Sequence, residues 1–145
     1  PKSFIAPCYT WNSVHETCLS ALGVNLLQGA ANFKSPQGFE QPYKINRNAC
    51  FSKNSCNQRY LIRNVMFEPS QEVLSDDKII NNALNQIRNA FIFGKPAIIS
   101  MHRLNFIGNR IQKNADNNLN LLEMLLKRII QKWPEVRFKK TIDLI

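Results

Sequence analysis

Histidine is scarce in this chain: two residues in 145, His15 and His102. Glu16 follows His15, but no histidine stands four residues further on, so the His-Glu-x-x-His helix of a metalloprotease is excluded and His15 is expected on a surface. Cys-x-x-Cys is missing as well, which removes the zinc-ribbon and thioredoxin patterns. The four cysteines, Cys8, Cys18, Cys50 and Cys56, are either reduced or joined as two disulfides in one of three connectivities. Cys50 and Cys56, close in a polar stretch, form the local pair for an oxidising compartment, while reduced thiols suit so apolar a chain better.

Long apolar runs are absent too, so no segment can span a bilayer as a helix. The opening Pro-Lys-Ser-Phe-Ile-Ala-Pro lacks the apolar core and cleavage site of a signal peptide, which leaves cytoplasm and cell envelope both open and is compatible with a mature product or a fragment. Acidic residues are few, 10 against 19 lysines and arginines, for a net charge of +9. That excess attracts polyanions in principle. The cations are dispersed, however, and no nucleic-acid-binding signature accompanies them, so a solvated basic surface is expected and nucleic acid is not the expected partner.

What is present is enough apolar residue, 44%, for a core, and at 145 residues the chain is expected to form a single α/β domain or a partial barrel. Short apolar runs alternate with helical patterns, which predicts βα units and a mainly parallel sheet. Strands are expected at residues 3–6, 24–27, 59–66 and 97–100, the last buried on both faces. Helices are expected from Asn12 or Ser13 to Leu22 with Gly23 as the stop, from Ser75 over 76–92 with Gly94 and Pro96 at the exit, and over 116–132. The second carries Ile79, Ile80, Ala83, Leu84, Ile87 and Phe91 as its buried stripe; the third carries Leu119, Leu122, Leu125, Leu126, Ile129 and Ile130. A short strand over 136–138 and a helical turn over 142–145 close the chain. Between them, residues 29–58 lose periodicity and read as a long polar loop, either facing a substrate or pinned down by its own aromatics.

His102 follows the 97–100 strand directly, at the strand edge where α/β folds build their sites. Histidine exchanges protons near neutral pH, so a general acid or base role and a purely structural hydrogen bond both fit this position. Arg103 can hold an anionic or polar group, and Asn105 offers a donor and an acceptor; each can equally order its loop. Tyr9, Trp11 and Asn12, after the first strand, can stack on or hydrogen-bond to sugar rings, or the two aromatics can form a lid over the following helix.

Three stretches together resemble the later half of a polysaccharide deacetylase-like carbohydrate-active family. They are Lys2-Ser-Phe-Ile-Ala-Pro-Cys-Tyr-Thr-Trp-Asn12, Tyr60-Leu-Ile-Arg-Asn-Val-Met-Phe-Glu-Pro69 and Lys95-Pro-Ala-Ile-Ile-Ser-Met-His-Arg-Leu-Asn-Phe-Ile-Gly108, and the leucine-rich segment ending in Trp133-Pro134 agrees with them. The resemblance implies the C-terminal half of a distorted (β/α) barrel, and a hydrolase acting on an acetylated glycan or polysaccharide. It also implies a divalent metal held by an Asp-His-His set, and a histidine after a late strand, matched by His102, that protonates the leaving amine. The family's early Asp-Asp and His-x-x-x-His motifs have no counterpart in this chain, so no metal site is expected from these residues alone and any divalent metal belongs to the full-length protein. Phe4-Ile5-Ala6 stand before Pro7 where the family commonly has an arginine. A non-catalytic glycan-binding or scaffold domain of the same fold is therefore the alternative, and a small doubly wound polyanion binder a third reading.

Overall fold

The computed structural model of the chain describes residues 2–71, 74–107 and 112–145. In chain order it contains β1 (Ser3–Ile5), α1 (Val14–Ala21), β2 (Leu26–Gly29), β3 (Asn32–Ser35), β4 (Lys44–Arg47), β5 (Arg59–Ile62), β6 (Val65–Met66), α2 (Asp76–Ile92), β7 (Ile99–Ser100) and α3 (Gln112–Lys132). This is the mixed α/β class expected from the alternating pattern, with parallel strands and, among the described residues, three α-helices. The residues gather into two units, Pro1–Arg63 with Lys139–Ile145, and Asn64–Phe138.

The first unit is built on a parallel sheet ordered β1-β2-β5, in which Phe4 pairs with Leu27 and Leu27 with Tyr60. β2 is central and buried at all four positions, Gln28 included. α1 connects β1 to β2. Its first turn is ordered by Asn12, whose Oδ1 accepts from the Val14 N–H at 3.1 Å, and its end is closed by Gly23 at φ +78°. There the Gly23 N–H donates to Ser20 O at 2.9 Å and the Val24 N–H to Leu19 O at 3.0 Å, the paired bonds of a Schellman motif. Val24 is consumed by this motif, which is why β2 starts at Leu26 rather than at the expected residue 24.

Residues 29–58, expected as an aperiodic loop, contain the antiparallel pair β3–β4, with Phe33 opposite Asn46 and Ser35 opposite Lys44. β3 does alternate, Phe33 and Ser35 inward and Asn32 and Lys34 outward, but only one of its inward residues is a large apolar one. The core of this unit joins Ala6, Trp11, Val24, Leu27, Phe33 and Tyr60, with the Trp11 and Phe33 rings stacked at 3.9 Å and 8°.

The single strand expected over 59–66 is two strands, β5 in the first unit and β6 in the second. The break falls at Asn64, whose side chain takes over the strand's hydrogen bonding: Nδ2 donates to Pro96 O at 3.0 Å and Oδ1 accepts from the Ile98 N–H at 2.7 Å. β6 then pairs in parallel with β7, Val65 opposite Ile99 and Met66 opposite Ser100. Of the expected 97–100 strand only Ile98 and Ser100 are buried.

In the second unit, Ile79, Ile80, Ala83, Leu84 and Ile87 of α2 pack with Val65, Phe67 and Leu121, Leu125 and Ile129 of α3. Full burial of each large aliphatic side chain contributes about 1.5–3 kcal/mol. Phe91 meets the edge of Trp133 at 5.2 Å, and α2 ends at Gly94, φ +60°, with Lys95 N–H to Ala90 O and Gly94 N–H to Phe91 O both at 2.9 Å. The buried face of α3 is Ala115, Asn118, Leu121, Leu125 and Ile129, at helical spacing, whereas Leu119 and Ile130 of the expected stripe face solvent. Residues 136–138 form no strand; Val136 N–H turns back onto Trp133 O at 2.9 Å. The expected closing turn is present as a 3-10 helix, Thr141–Leu144, and Thr141 Oγ1 accepts from Gln28 Nε2 at 3.3 Å.

Candidate functional site

The parallel register of β6 and β7 decides which side chains meet beyond the strand ends. Phe67 N–H continues the ladder onto Ser100 O, so the residues two places past each strand, Glu68 and His102, emerge side by side. Glu68 Oε1 lies 2.7 Å from His102 Nδ1. The two side chains differ sharply in environment: that of Glu68 is 4% exposed and that of His102 is 62% exposed. A carboxylate is acceptor only, so Nδ1 carries the proton in this pair and Nε2 is left as the atom that exchanges protons with solvent or a ligand.

The carboxylate is fixed at its other oxygen as well. Asn105, in the 3-10 turn Arg103–Phe106, donates from Nδ2 to Glu68 Oε2 at 2.5 Å and to His102 O at 3.1 Å. Asn118 of α3 donates to Asn105 O and to Ser70 Oγ, both at 2.7 Å. Glu68, Asn105 and Asn118 are all buried, which makes the turn a rigid support for an exposed imidazole. Hydrogen bonds to a charged group contribute about 1.5–3 kcal/mol each. Arg103 is exposed beside His102, free to reach a ligand, while Asn105 is committed to holding Glu68. Gly108, which closes the turn in the sequence pattern, lies outside the described residues.

Such a pair can hold an imidazole in one tautomer and pair the imidazolium with a negative charge after Nε2 gains a proton, the chemistry of a general acid or base. A divalent metal fits it poorly. Both Glu68 oxygens already accept hydrogen bonds, and among the described residues no three His, Cys, Asp or Glu side chains come together as ligands. Comparison with protein-family models, curated proteins and solved structures finds no match to this chain.

The other expected site residues belong to the first unit. Trp11 is buried, one face on Phe33 and its Nε1–H donating to Glu16 Oε1 at 2.9 Å, so its ring is part of the core. Tyr9 is half-buried, and its hydroxyl accepts from Arg63 Nη1 at 3.1 Å. It stands with Cys8 in left-handed backbone, φ +52° and +50°, a conformation that costs non-glycine residues about 1–3 kcal/mol. Asn12 orders the start of α1 and donates to Pro36 O at 3.3 Å. His15 is on the surface, as expected. The four cysteines are free thiols, Cys8 and Cys18 exposed, Cys50 and Cys56 half-buried.

Glu16 is a second buried carboxylate, 5% exposed, and the amphipathic pattern of α1 gave no sign of it. Besides Trp11 it accepts from Tyr60 Oη at 2.9 Å and Asn54 Nδ2 at 2.8 Å. Burial, and then the hydrogen bond to Glu16, hold the Tyr60 hydroxyl well above its ordinary pKa of 10.0, so it remains a donor. Glu68 could have been found from the sequence as an acid two residues past an apolar strand, the counterpart of His102 two residues past another.

Proposed function

We propose that the chain is part of a polysaccharide deacetylase-like hydrolase, the C-terminal half of a distorted (β/α) barrel, in which His102 protonates the group that leaves an acetylated glycan. The observation that carries this reading is the buried Glu68 on Nδ1 of an exposed His102. Water adds to the acetyl carbon, and as the bond from that carbon to the sugar nitrogen or oxygen breaks to release acetate, the water's protons going to solvent, the Nε2–H of the imidazolium passes its proton to the leaving atom. The imidazole is then neutral, its Nδ1–H still held by Glu68. Arg103, exposed next to it, is suited to a polar or anionic group of the glycan.

Acetate release from N-acetylated and O-acetylated oligosaccharides by the full-length protein tests this. A positioned general acid contributes about 10²–10⁴-fold, so His102→Ala lowers the rate by that order, and Glu68→Gln lowers it through the wrong tautomer while leaving saccharide binding intact. Equal rates for wild type and His102→Ala refute the assignment. The second reading, a glycan-binding domain without chemistry, draws support from an amide-rich cleft in the first unit and from Phe4-Ile5-Ala6 before Pro7. It requires saccharide binding by a wild type that releases no acetate.

A further inference from the structure

The first unit holds a cleft of about 540 Å³ beside the β3–β4 pair. Its wall carries Lys44, Asn46, Arg47 and Asn48, and Phe33 and Tyr60 also line it. Among the described residues no carboxylate lines it. The nearest acid of the unit's core, Glu16, is buried and already accepts from Trp11, Tyr60 and Asn54. The side chains of the four wall residues make no hydrogen bond or ion pair with any described residue; on β4, Lys44 and Asn46 stand opposite Ser35 and Phe33 and share their inward face, while Arg47, opposite Asn32, lies on the other face at the edge of the cleft. From these observations we infer that the cleft is a binding site for an acidic saccharide, a sugar unit bearing a carboxylate.

The chemistry of the wall selects that ligand. Side-chain amides present a donor and an acceptor together, which matches the donor and acceptor character of sugar hydroxyls. Lysine and arginine match one anionic substituent, arginine by two parallel hydrogen bonds. A nucleic acid needs a track of cations along a backbone and open aromatic faces for its bases. Here the cations are two, and Phe33 is stacked on Trp11 with both rings buried. The inference deepens the glycan-directed reading and rests on it, naming the substrate as an acidic glycan.

The test is titration of the chain with a uronate-containing oligosaccharide, its neutral carboxyl-reduced analogue, inorganic phosphate and a single-stranded oligonucleotide, following the side-chain amide signals of Asn46 and Asn48 by NMR. The uronate oligosaccharide is expected to shift both signals and to bind on the order of tenfold more tightly than the neutral analogue, the loss that one charged hydrogen-bonded contact represents. Lys44→Ala/Arg47→Ala should abolish that preference, and because both residues are exposed its circular dichroism should match wild type. Equal binding of acidic and neutral sugars, no shift at Asn46 and Asn48, or tighter binding of phosphate or oligonucleotide overturns the inference. Acetate release is a separate readout: its loss with binding intact defeats the hydrolase reading alone, and the reverse outcome defeats the cleft alone.

Discussion

Replacing Glu16 tests whether a buried carboxylate holds the first unit together. Glu16→Gln keeps an oxygen for the Trp11 and Tyr60 donors but turns an NH₂ toward Asn54 Nδ2, itself a donor. Asn54 cannot relieve the clash by flipping, because its Oδ1 already accepts from the Cys56 and Gln58 N–H groups at 3.1 and 2.9 Å and its Nδ2 also donates to Gln58 Oε1 at 2.7 Å. One bond is lost against a mispaired group, a cost of about 1–2 kcal/mol. Glu16→Leu removes all three bonds and strands the Trp11 N–H and the Tyr60 hydroxyl in the core, for about 3–5 kcal/mol, a large part of the 5–15 kcal/mol of a typical domain. Urea unfolding monitored by Trp11 fluorescence in a Trp133→Phe background measures both, since the two tryptophans lie in different units. At roughly 4–8 °C per kcal/mol for a unit of this size, the Gln variant should melt lower by about 4–16 °C. A Glu16→Leu protein as stable as wild type would refute the reasoning, because it would mean that desolvating the carboxylate costs as much as its three bonds return.

The raised Tyr60 hydroxyl has a pH signature of definite sign. The folded state keeps the proton while the unfolded chain ionises near its ordinary 10.0, so this contribution is complete below that pH and is lost as pH climbs above it; Tyr60→Phe should flatten the alkaline fall of urea stability. Leu125, fully buried in the second unit, should cost about 2–5 kcal/mol when cut to alanine, read from denaturant midpoints at constant slope. Gly94→Ala should cost about 1–2 kcal/mol, because alanine must take up φ +60° at the end of α2, whereas a loss near zero would show that the helix end relaxes without it.

The fold was legible where composition, period and stop signal agreed. α2 was expected over residues 76–92 and spans Asp76–Ile92, since its apolar stripe is bounded by Gly94 and Pro96. β3 and β4 were hidden because only Phe33 points a large apolar group inward and Ile45, the one large apolar residue of β4, faces solvent. The split of 59–66 escaped for another reason: Asn64 reads as an ordinary strand residue until its side chain is seen bonded to Pro96 and Ile98. In α3, six apolar residues cover more than one face, and periodicity alone could not say that Leu119 and Ile130 would stay outside. Of the candidate site, His102 was visible from its place after an apolar strand. Glu68 had the same signal, an acid two residues past an apolar strand, but its pairing with His102 was not legible, because the two are 34 residues apart and only the strand register joins them.

The chain order of the first unit has a consequence for synthesis. Residues 64–138 are continuous and carry their own core, so on a ribosome they can close as soon as α3 has emerged. The first unit, although begun earlier, draws its last segment from Lys139–Ile145, where Thr141 meets Gln28 of the central strand. The part made first is therefore the part completed last, and β2 must keep its place for a partner translated more than a hundred residues after it.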